Sequence, residues 1–304
     1  MRIAHFSDLH VLSLAGVGWH RFLGKRLTGY ANLRFKRNYA HHSSYVRALA
    51  KEMARTKVDH VAITGDITNL ALETEFMMAR EILEKELHLS PRDISVVPGN
   101  HDLYTRGALK RKRFTEFFSE YTKCDIDVAV DIGVGHFPFV KLRGPAAIIG
   151  LSSAVPRPPF VASGTLGRLQ LLALAKALAH PEVKKRTPVL LIHHPPINPP
   201  SLVKTWIEGL TDATALHELL APLEAGLVLH GHLHKRMVRK LNGTGLLSMG
   251  ATSASLHHEH GARHAGFNLY ELDDTSGRIV NFEAHVLDSE EAGTFHVEPV
   301  PEVA

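Results

Sequence analysis

Five short segments carry residue types that ligate divalent cations: Asp8-Leu9-His10, Gly65-Asp66, Gly99-Asn100-His101-Asp102, His193-His194 and Gly231-His232-Leu233-His234. They supply carboxylate, imidazole and amide groups with no thiolate. That donor set suits two hard or borderline ions such as Mn, Fe, Zn or Co. Taken singly, most of the segments are weak signals. A Gly-Asp pair after a strand is more often a turn, because Asp bonds its own backbone there. Asp8-Leu9-His10 could equally cap a turn, and a lone histidine after an apolar run is more often a packed core residue. Gly231-His232-Leu233-His234 is stronger, since an i, i+2 pair on extended backbone puts both imidazoles on one side. Gly99-Asn100-His101-Asp102 is the sharpest single signal.

All five segments end strand-like apolar runs, at residues 2–6, 60–64, 94–97, 189–192 and 227–229. Strands that deliver side chains from their C-terminal ends converge on one edge of a sheet, the usual ligand position in open α/β folds. Between the first runs, Ser43 or Ser44 can cap a helix to about Lys57 with Val46, Leu49, Ala50 and Met53 on one face. A second helix is expected from about Glu73 to His88, and a basic helix from about Gly107 to Tyr121. Phe137–Leu142 and Ala146–Leu151 read as paired strands around a Gly144-Pro145 turn. A helix from about Gly167 to His180 should stop at Pro181, and Asp212 can cap another that ends near Glu224. Beyond His234 the pattern is strand after strand, at 235–241, 245–249, 266–272 and 278–285. The periodicity therefore gives an α/β, partly parallel protein.

The composition, 44% hydrophobic and 22% charged over 304 residues, is that of a soluble globular chain. Because the donor segments span residues 8 to 234, one domain over 1–287 is expected to fold around one site. Asp288, Glu290, Glu291, Glu298 and Glu302, with Pro299 and Pro301, mark 288–304 as an acidic tail or docked strap. Cys124 is the only cysteine, which excludes an intrachain disulfide and points to a reducing compartment. No apolar signal core or stretch of roughly 18 apolar residues is present. The expectation is a cytoplasmic protein, or one peripheral at the inner membrane. Arg21, Lys25, Arg26, Arg34, Lys36, Arg37 and Arg47 fall in one stretch without an acid, interleaved with Trp19, Phe22, Leu23, Leu27 and Tyr30. This stretch either lines the site with cations that attract phosphate substrates, or lies on an anionic membrane or acyl chain. Gly24 and Gly29 interrupt its apolar face and favour the first reading. With no second DNA-binding module or longer basic face, nucleic acid is not an expected partner.

The order and spacing of the five segments resemble the calcineurin-like metallophosphoesterase superfamily, whose signature runs D-x-H, GD, GNH before D or E, H, and GHxH. The resemblance implies a four-layer αββα sandwich of two mixed sheets flanked by helices. It implies that Asp8, His10, Asp66 and His234 hold one metal ion and Asp66, Asn100, His193 and His232 the other. A metal-bridging hydroxide then attacks phosphorus while His101 contacts the phosphoryl group or protonates the leaving oxygen. Asp102 could fix the His101 tautomer, or simply cap a turn. His193 and His194 point opposite ways on extended backbone, so one at most is a ligand. In relatives the ligand ends the strand and is followed by one residue and then proline, which selects His193. The implied activity is a phosphodiesterase on a phosphodiester or nucleotide-type small molecule, with class III cyclic-nucleotide phosphodiesterases similar in length. An alternative follows from Lys25-Arg26-Leu27, Gly29-Tyr30 and Asn32, which resemble an insert in bacterial relatives that hydrolyse the pyrophosphate of UDP-2,3-diacylglucosamine at the membrane. A non-catalytic scaffold of the retromer type loses ligand residues that are all present here. The histidines at 257, 258, 260 and 264 have no matched carboxylate and read as a solvent-exposed loop.

Overall fold

The computed structural model describes residues 1–13, 17–18, 42–259 and 261–303. The first half alternates strand and helix: β1 (Arg2–Phe6), α1 (Ser43–Arg55), β2 (His60–Ile63), α2 (Glu73–Glu86) and β3 (Ile94–Val96). Then come α3 (Arg106–Lys110), α4 (Arg113–Phe118), a small hairpin of β4 (Val130–Asp131) and β5 (His136–Phe137), and the strands β6 (Phe139–Arg143) and β7 (Ala146–Gly150). α5 (Arg168–Ala179) and α6 (Pro181–Lys184) lead to β8 (Thr187–Leu191), and α7 (Leu202–Glu208) and α8 (Ala213–Leu220) lead to β9 (Gly226–His230). The chain finishes in β10 (Met237–Lys240), β11 (Leu246–Gly250), β12 (Gly266–Leu272), β13 (Ile279–Ser289) and β14 (Thr294–Pro299).

Two six-stranded mixed sheets result, in the orders β14-β13-β12-β1-β2-β3 and β10-β11-β9-β8-β7-β6. β1, β2 and β3 are parallel, as are β7, β8, β9 and β11, and the outer strands run antiparallel. The period-two side-chain alternation of strands explains the layering. Ile148, Val189, Leu191, Leu227 and Leu229 face a core shared with the first sheet. Their neighbours Ile149, Leu190 and Val228 pack on Leu174 and Ala177 of α5 and Leu216 and Leu220 of α8. α1 and α2 cover the first sheet with Val46, Leu49, Met53, Phe76, Ala79 and Ile82. This is the expected sandwich of two mixed sheets between helices. Continuous apolar strands buried on both faces are what such layering requires.

Several local expectations change. α1 begins after His42 with no side-chain cap, so neither Ser43 nor Ser44 caps it. The basic helix breaks at Lys112, whose φ of +49° ends α3 before α4 starts. Pro181 stops α5 but opens the single turn of α6, a position where its missing N–H costs nothing. Asp212 does not cap α8: its carboxylate accepts the Leu166 and Gly167 N–H groups and the Thr165 hydroxyl, fixing the entry to α5. The acidic end of the chain pairs as edge strand β14 on β13, and Glu302 then bridges to Val238 on the second sheet. No helix among the described residues is long and apolar enough to cross a membrane. The aromatic and basic residues at 19–41, and His260, lie outside the described residues.

Candidate metal centre

The loops that leave β1, β2, β3, β8 and β9 meet at one edge of the two sheets. Their backbones are unusual. Among the described residues ten non-glycine positions have positive φ, and Asp8 (52°), His10 (45°), Asp66 (48°), His232 (69°) and His234 (48°) are five of them. Such left-handed conformations cost on the order of 1–3 kcal/mol each and persist where the surroundings impose them. The loops also approach too closely for ordinary side chains. A Cβ on Gly99 would overlap the Asp66 backbone and carboxylate, and one on Gly231 would overlap Ser7 Oγ and an Asp8 carboxylate oxygen. The glycines of these segments are therefore contact points between loops.

On one side, Asp8 Oδ1 lies 3.1 Å from His234 Nε2 and 3.9 Å from His10 Nε2, and the two imidazole nitrogens are 3.1 Å apart. Asp8 Oδ1 is fully buried and accepts no hydrogen bond of good geometry, whereas Oδ2 accepts the His232 N–H at 3.0 Å. On the other side, His193 Nε2 lies 3.1 Å from Asn100 Oδ1 and 3.4 Å from Asp66 Oδ2. Donors that share one ion with bonds of about 2.0–2.2 Å stand about 3–3.5 Å apart, so both clusters have the spacing of a coordination shell. The His193 Nδ1 contact to the Thr64 carbonyl, 2.7 Å, holds that proton and leaves Nε2 as the ligating atom. Asp8-His10-His234, His10-Asp66-His101 and Asp8-Asp66-His193 each bring three donor atoms close enough for one ion.

The electrostatics agree with a cation-binding cavity. Burial alone would raise Asp66, but His193 and His101 beside it hold its carboxyl well below the usual range. Asp8 is likewise lowered, burial being outweighed by His234 and His193. Burial pushes His193 down, yet Asp66 and Asp8 lift it to about 9. A proton on His193 thus sits where a metal would replace it. His232 is pushed down to about 4 by burial and by His193, a neutral ring available to a cation.

The structure places each expected site residue at this edge, with two changes of detail. His232 (φ 69°) and His234 (φ 48°) are not on extended backbone. The His234 nitrogen faces Asp8 and His10, while the His232 ring lies 5.2 Å from His193. Asp102 does not fix the His101 tautomer. Its buried carboxylate accepts the Gly99, Ile67 and Thr68 N–H groups and the Thr68 hydroxyl, so it caps the turn. Burial, then the Asp66 charge, raises Asp102 to about 7 against those donors. The partner of His101 Nδ1 is the Asn69 carbonyl at 2.8 Å, and the Asn69 amide also donates to the His10 carbonyl. His194 has both ring nitrogens engaged, Nδ1 with Ser153 Oγ and Nε2 with the Ala162 carbonyl, each at 2.7 Å. Asn69, Thr64 and Ser253, whose hydroxyl donates to the Asp8 carbonyl at 2.6 Å, had no chemical signal in the sequence. Of the remaining histidines, His257 contacts Tyr45 and His264 accepts the His258 N–H. None of them belongs to the three donor groups.

A two-sheet sandwich with carboxylate, imidazole and amide donors gathered on one strand edge defines a metallophosphoesterase architecture. The chain belongs to the calcineurin-like phosphoesterase family, whose model matches residues 1–236. It is 31% identical over 188 residues to a probable glycerophosphodiester phosphodiesterase, GpdQ, of Arcobacter nitrofigilis, a match covering 60% of this chain and 58% of that protein. A dimetal phosphatase from Danio rerio superposes with a TM-score of 0.57 at 14% identity, covering 93% of this chain and 95% of that one. The purple acid phosphatase PPD1 of yellow lupin gives 0.58 at 12% identity, covering 97% of this chain and 52% of that one. These superpositions carry the fold.

Proposed function

We propose that the protein is a dinuclear-metal phosphodiesterase acting on small phosphodiesters of the glycerophosphodiester or cyclic-nucleotide type. The supporting observation is the pair of donor clusters, Asp8-His10-His234 and Asn100-His193, with Asp66 between them. In this reading Asp8, His10, Asp66 and His234 hold one ion, Asp66, Asn100, His193 and His232 hold the other, and Asp66 is shared because a carboxylate has two anionic faces. Two divalent ions bound there supply a low-pKa water and neutralise the phosphoryl oxygens. His101, with Nδ1 bonded to the Asn69 carbonyl, is held to use Nε2 on the substrate and to hand a proton to the leaving oxygen. A diester is preferred to a monoester because the curated relative at 31% identity is described as a phosphodiesterase. The alternative substrate, a nucleotide-linked lipid such as UDP-2,3-diacylglucosamine, rests on residues 25–32, which lie outside the described residues.

The test is an activity screen of protein reconstituted with Mn, Fe, Zn or Co. Its substrates are bis(p-nitrophenyl) phosphate, p-nitrophenyl phosphate, glycerophosphocholine, cyclic AMP and UDP-diacylglucosamine. Metal-dependent turnover of the diesters above the monoester supports the reading. Turnover of the monoester alone, or of UDP-diacylglucosamine alone, overturns it.

A further inference from the structure

The metal centre straddles two sheets. Asp8, His10, Asp66 and Asn100 follow β1, β2 and β3 of the first sheet, and His193, His232 and His234 follow β8 and β9 of the second. Apolar packing between the sheets does not by itself hold one against the other to the roughly 0.5 Å that a set of ligands needs. Beneath the site, however, the seam carries polar groups where apolar side chains are the rule. His5, Thr64, Asn268 and Tyr270 are each 1% exposed or less.

These groups form one chain. It starts in the second sheet, where the Gly250 carbonyl at the end of β11 accepts from the Asn268 amide of β12 at 3.1 Å. The same amide nitrogen donates to the Tyr270 hydroxyl oxygen at 3.0 Å. Tyr270 lies 3.0 Å from His5 Nδ1 of β1, and His5 Nε2 lies 2.9 Å from Thr64 Oγ1. The Thr64 carbonyl then accepts from His193 Nδ1 at 2.7 Å, back in the second sheet.

The direction of each bond follows from its ends. A carbonyl only accepts, so the nitrogen of the Asn268 amide faces Gly250. An amide nitrogen only donates, so the Tyr270 oxygen accepts from Asn268 and has its own O–H left for His5. That oxygen has no other partner among the described residues. His5 Nδ1 is therefore an acceptor, and the neutral ring carries its proton on Nε2, aimed at Thr64. Burial, then His230, push His5 down to about 3 against the pull of Asp8, so the ring is neutral near pH 7. Thr64 itself lies just past β2 and before Gly65, whose φ of +93° starts the turn to Asp66. A peptide at such a corner rotates easily unless its side chain is anchored.

We propose that His5 is a positioning residue of the metal centre: by holding the Thr64 hydroxyl it fixes the carbonyl that orients His193, and so aims His193 Nε2 at the ion. The inference rests on the reading of His193 as a metal ligand in a dinuclear site.

Three variants separate this role from a merely structural one. Each is made in the full chain, stripped of metal and titrated with Co²⁺, with calorimetry and the visible bands of the bound ion as readouts. His5→Gln puts an amide nitrogen near the place of Nε2 and keeps a donor for Thr64. His5→Asn puts an amide oxygen near the place of Nδ1, keeps the Tyr270 bond and leaves Thr64 without its donor. Thr64→Val exchanges the hydroxyl for a methyl, and carries the test should His5→Asn fail to fold. Wild type should take up two ions in two steps. His5→Asn and Thr64→Val should weaken one step by about 10- to 100-fold and shift the bands of that ion, while the other step stays near wild type. His5→Gln should restore affinity and bands even where its melting temperature is lower. Combining His5→Asn with Thr64→Val should cost no more affinity than either alone, because both remove one interaction. Two ions held by His5→Asn and Thr64→Val as tightly as by wild type would overturn the role of His5. So would losses at both steps that track melting temperature across all three variants, His5→Gln included. A wild type that binds a single ion removes the dinuclear reading, and the inference falls with it.

Discussion

Asp66 stands between the two donor clusters, its Oδ2 3.4 Å from His193 Nε2 and its Oδ1 accepting the His101 N–H at 2.7 Å. If it is the shared ligand, Asp66→Ala should release both ions, because neither cluster keeps its full set. Metal analysis of wild type should give two ions per chain, and one tightly held ion in a fully active protein would refute the dinuclear centre. His101 predicts a different pattern. His101→Ala should keep both ions and lower turnover of alkyl diesters by about 100-fold or more, while nitrophenyl diesters lose less because nitrophenolate leaves without a proton. Equal losses on both would assign His101 to phosphoryl positioning instead. The adjacent pair separates in the same way. His193→Ala should lose metal, whereas His194→Ala should cost stability, since it removes the ring that bonds Ser153 Oγ and the Ala162 carbonyl.

At the scale of elements, the strands place the donors but the turns after them set the geometry. Gly231 is the sharpest case: any side chain there meets Ser7 and Asp8 of the loop after β1. Gly231→Ala should lower stability by about 1–3 kcal/mol and weaken metal binding at the cluster containing Asp8. Thermal melts with and without metal measure both effects, and an unchanged metal titration would show that the loop gives way without moving Asp8. The strands and the donor identities were legible in the sequence because apolar runs and residue types are local properties. What joins one loop to another was not. The left-handed backbone at Asp8, His10, Asp66, His232 and His234 is held by packing among segments up to 224 residues apart, and the tolerance of Asp and His for positive φ permits it without specifying where it occurs. Asp102 shows the same limit. Adjacency suggested a partnership with His101, but three backbone N–H groups from two loops claim its carboxylate and leave His101 to the Asn69 carbonyl. Asp212 likewise caps nothing of its own helix and instead braces the start of α5, 45 residues away.

Across the whole molecule, the two sheets are joined by apolar packing and by a few charges carried into the seam. Lys141 of β6 is buried and donates to the Pro91 and Ile94 carbonyls beside β3. His60 of β2 is buried too, its Nε2 2.9 Å from Ser95 Oγ. Burial, reinforced by Lys141 and Arg143, holds His60 well below its ordinary value, and burial with Arg143 brings Lys141 down to about 7. Both shifts act in one direction. An unfolded chain takes up a proton at His60 below about pH 6.5 that the folded chain refuses, so stability falls as pH drops through that value. Lys141 refuses its proton from about pH 10.4 down to about pH 7, so its share of stability is present at high pH and is lost across that window as pH falls. Each group contributes a slope of about 1.4 kcal/mol per pH unit inside its own window. These two groups add stability to the metal-free protein as pH rises; His193, lifted to about 9, acts the other way, its share being present below about pH 6.5 and lost as pH rises toward 9, so it offsets the Lys141 gain above neutral pH. His60→Phe should flatten the curve below pH 6.5 and leave the upper part intact. Lys141→Met should remove the rising share between pH 7 and pH 10, so that stability there falls with pH relative to wild type, and should lower stability at every pH by removing the hydrogen bonds to the Pro91 and Ile94 carbonyls. Denaturant melts across that range decide the matter, and variant curves that run parallel to wild type in these windows would show that the seam tolerates the charges in the folded state.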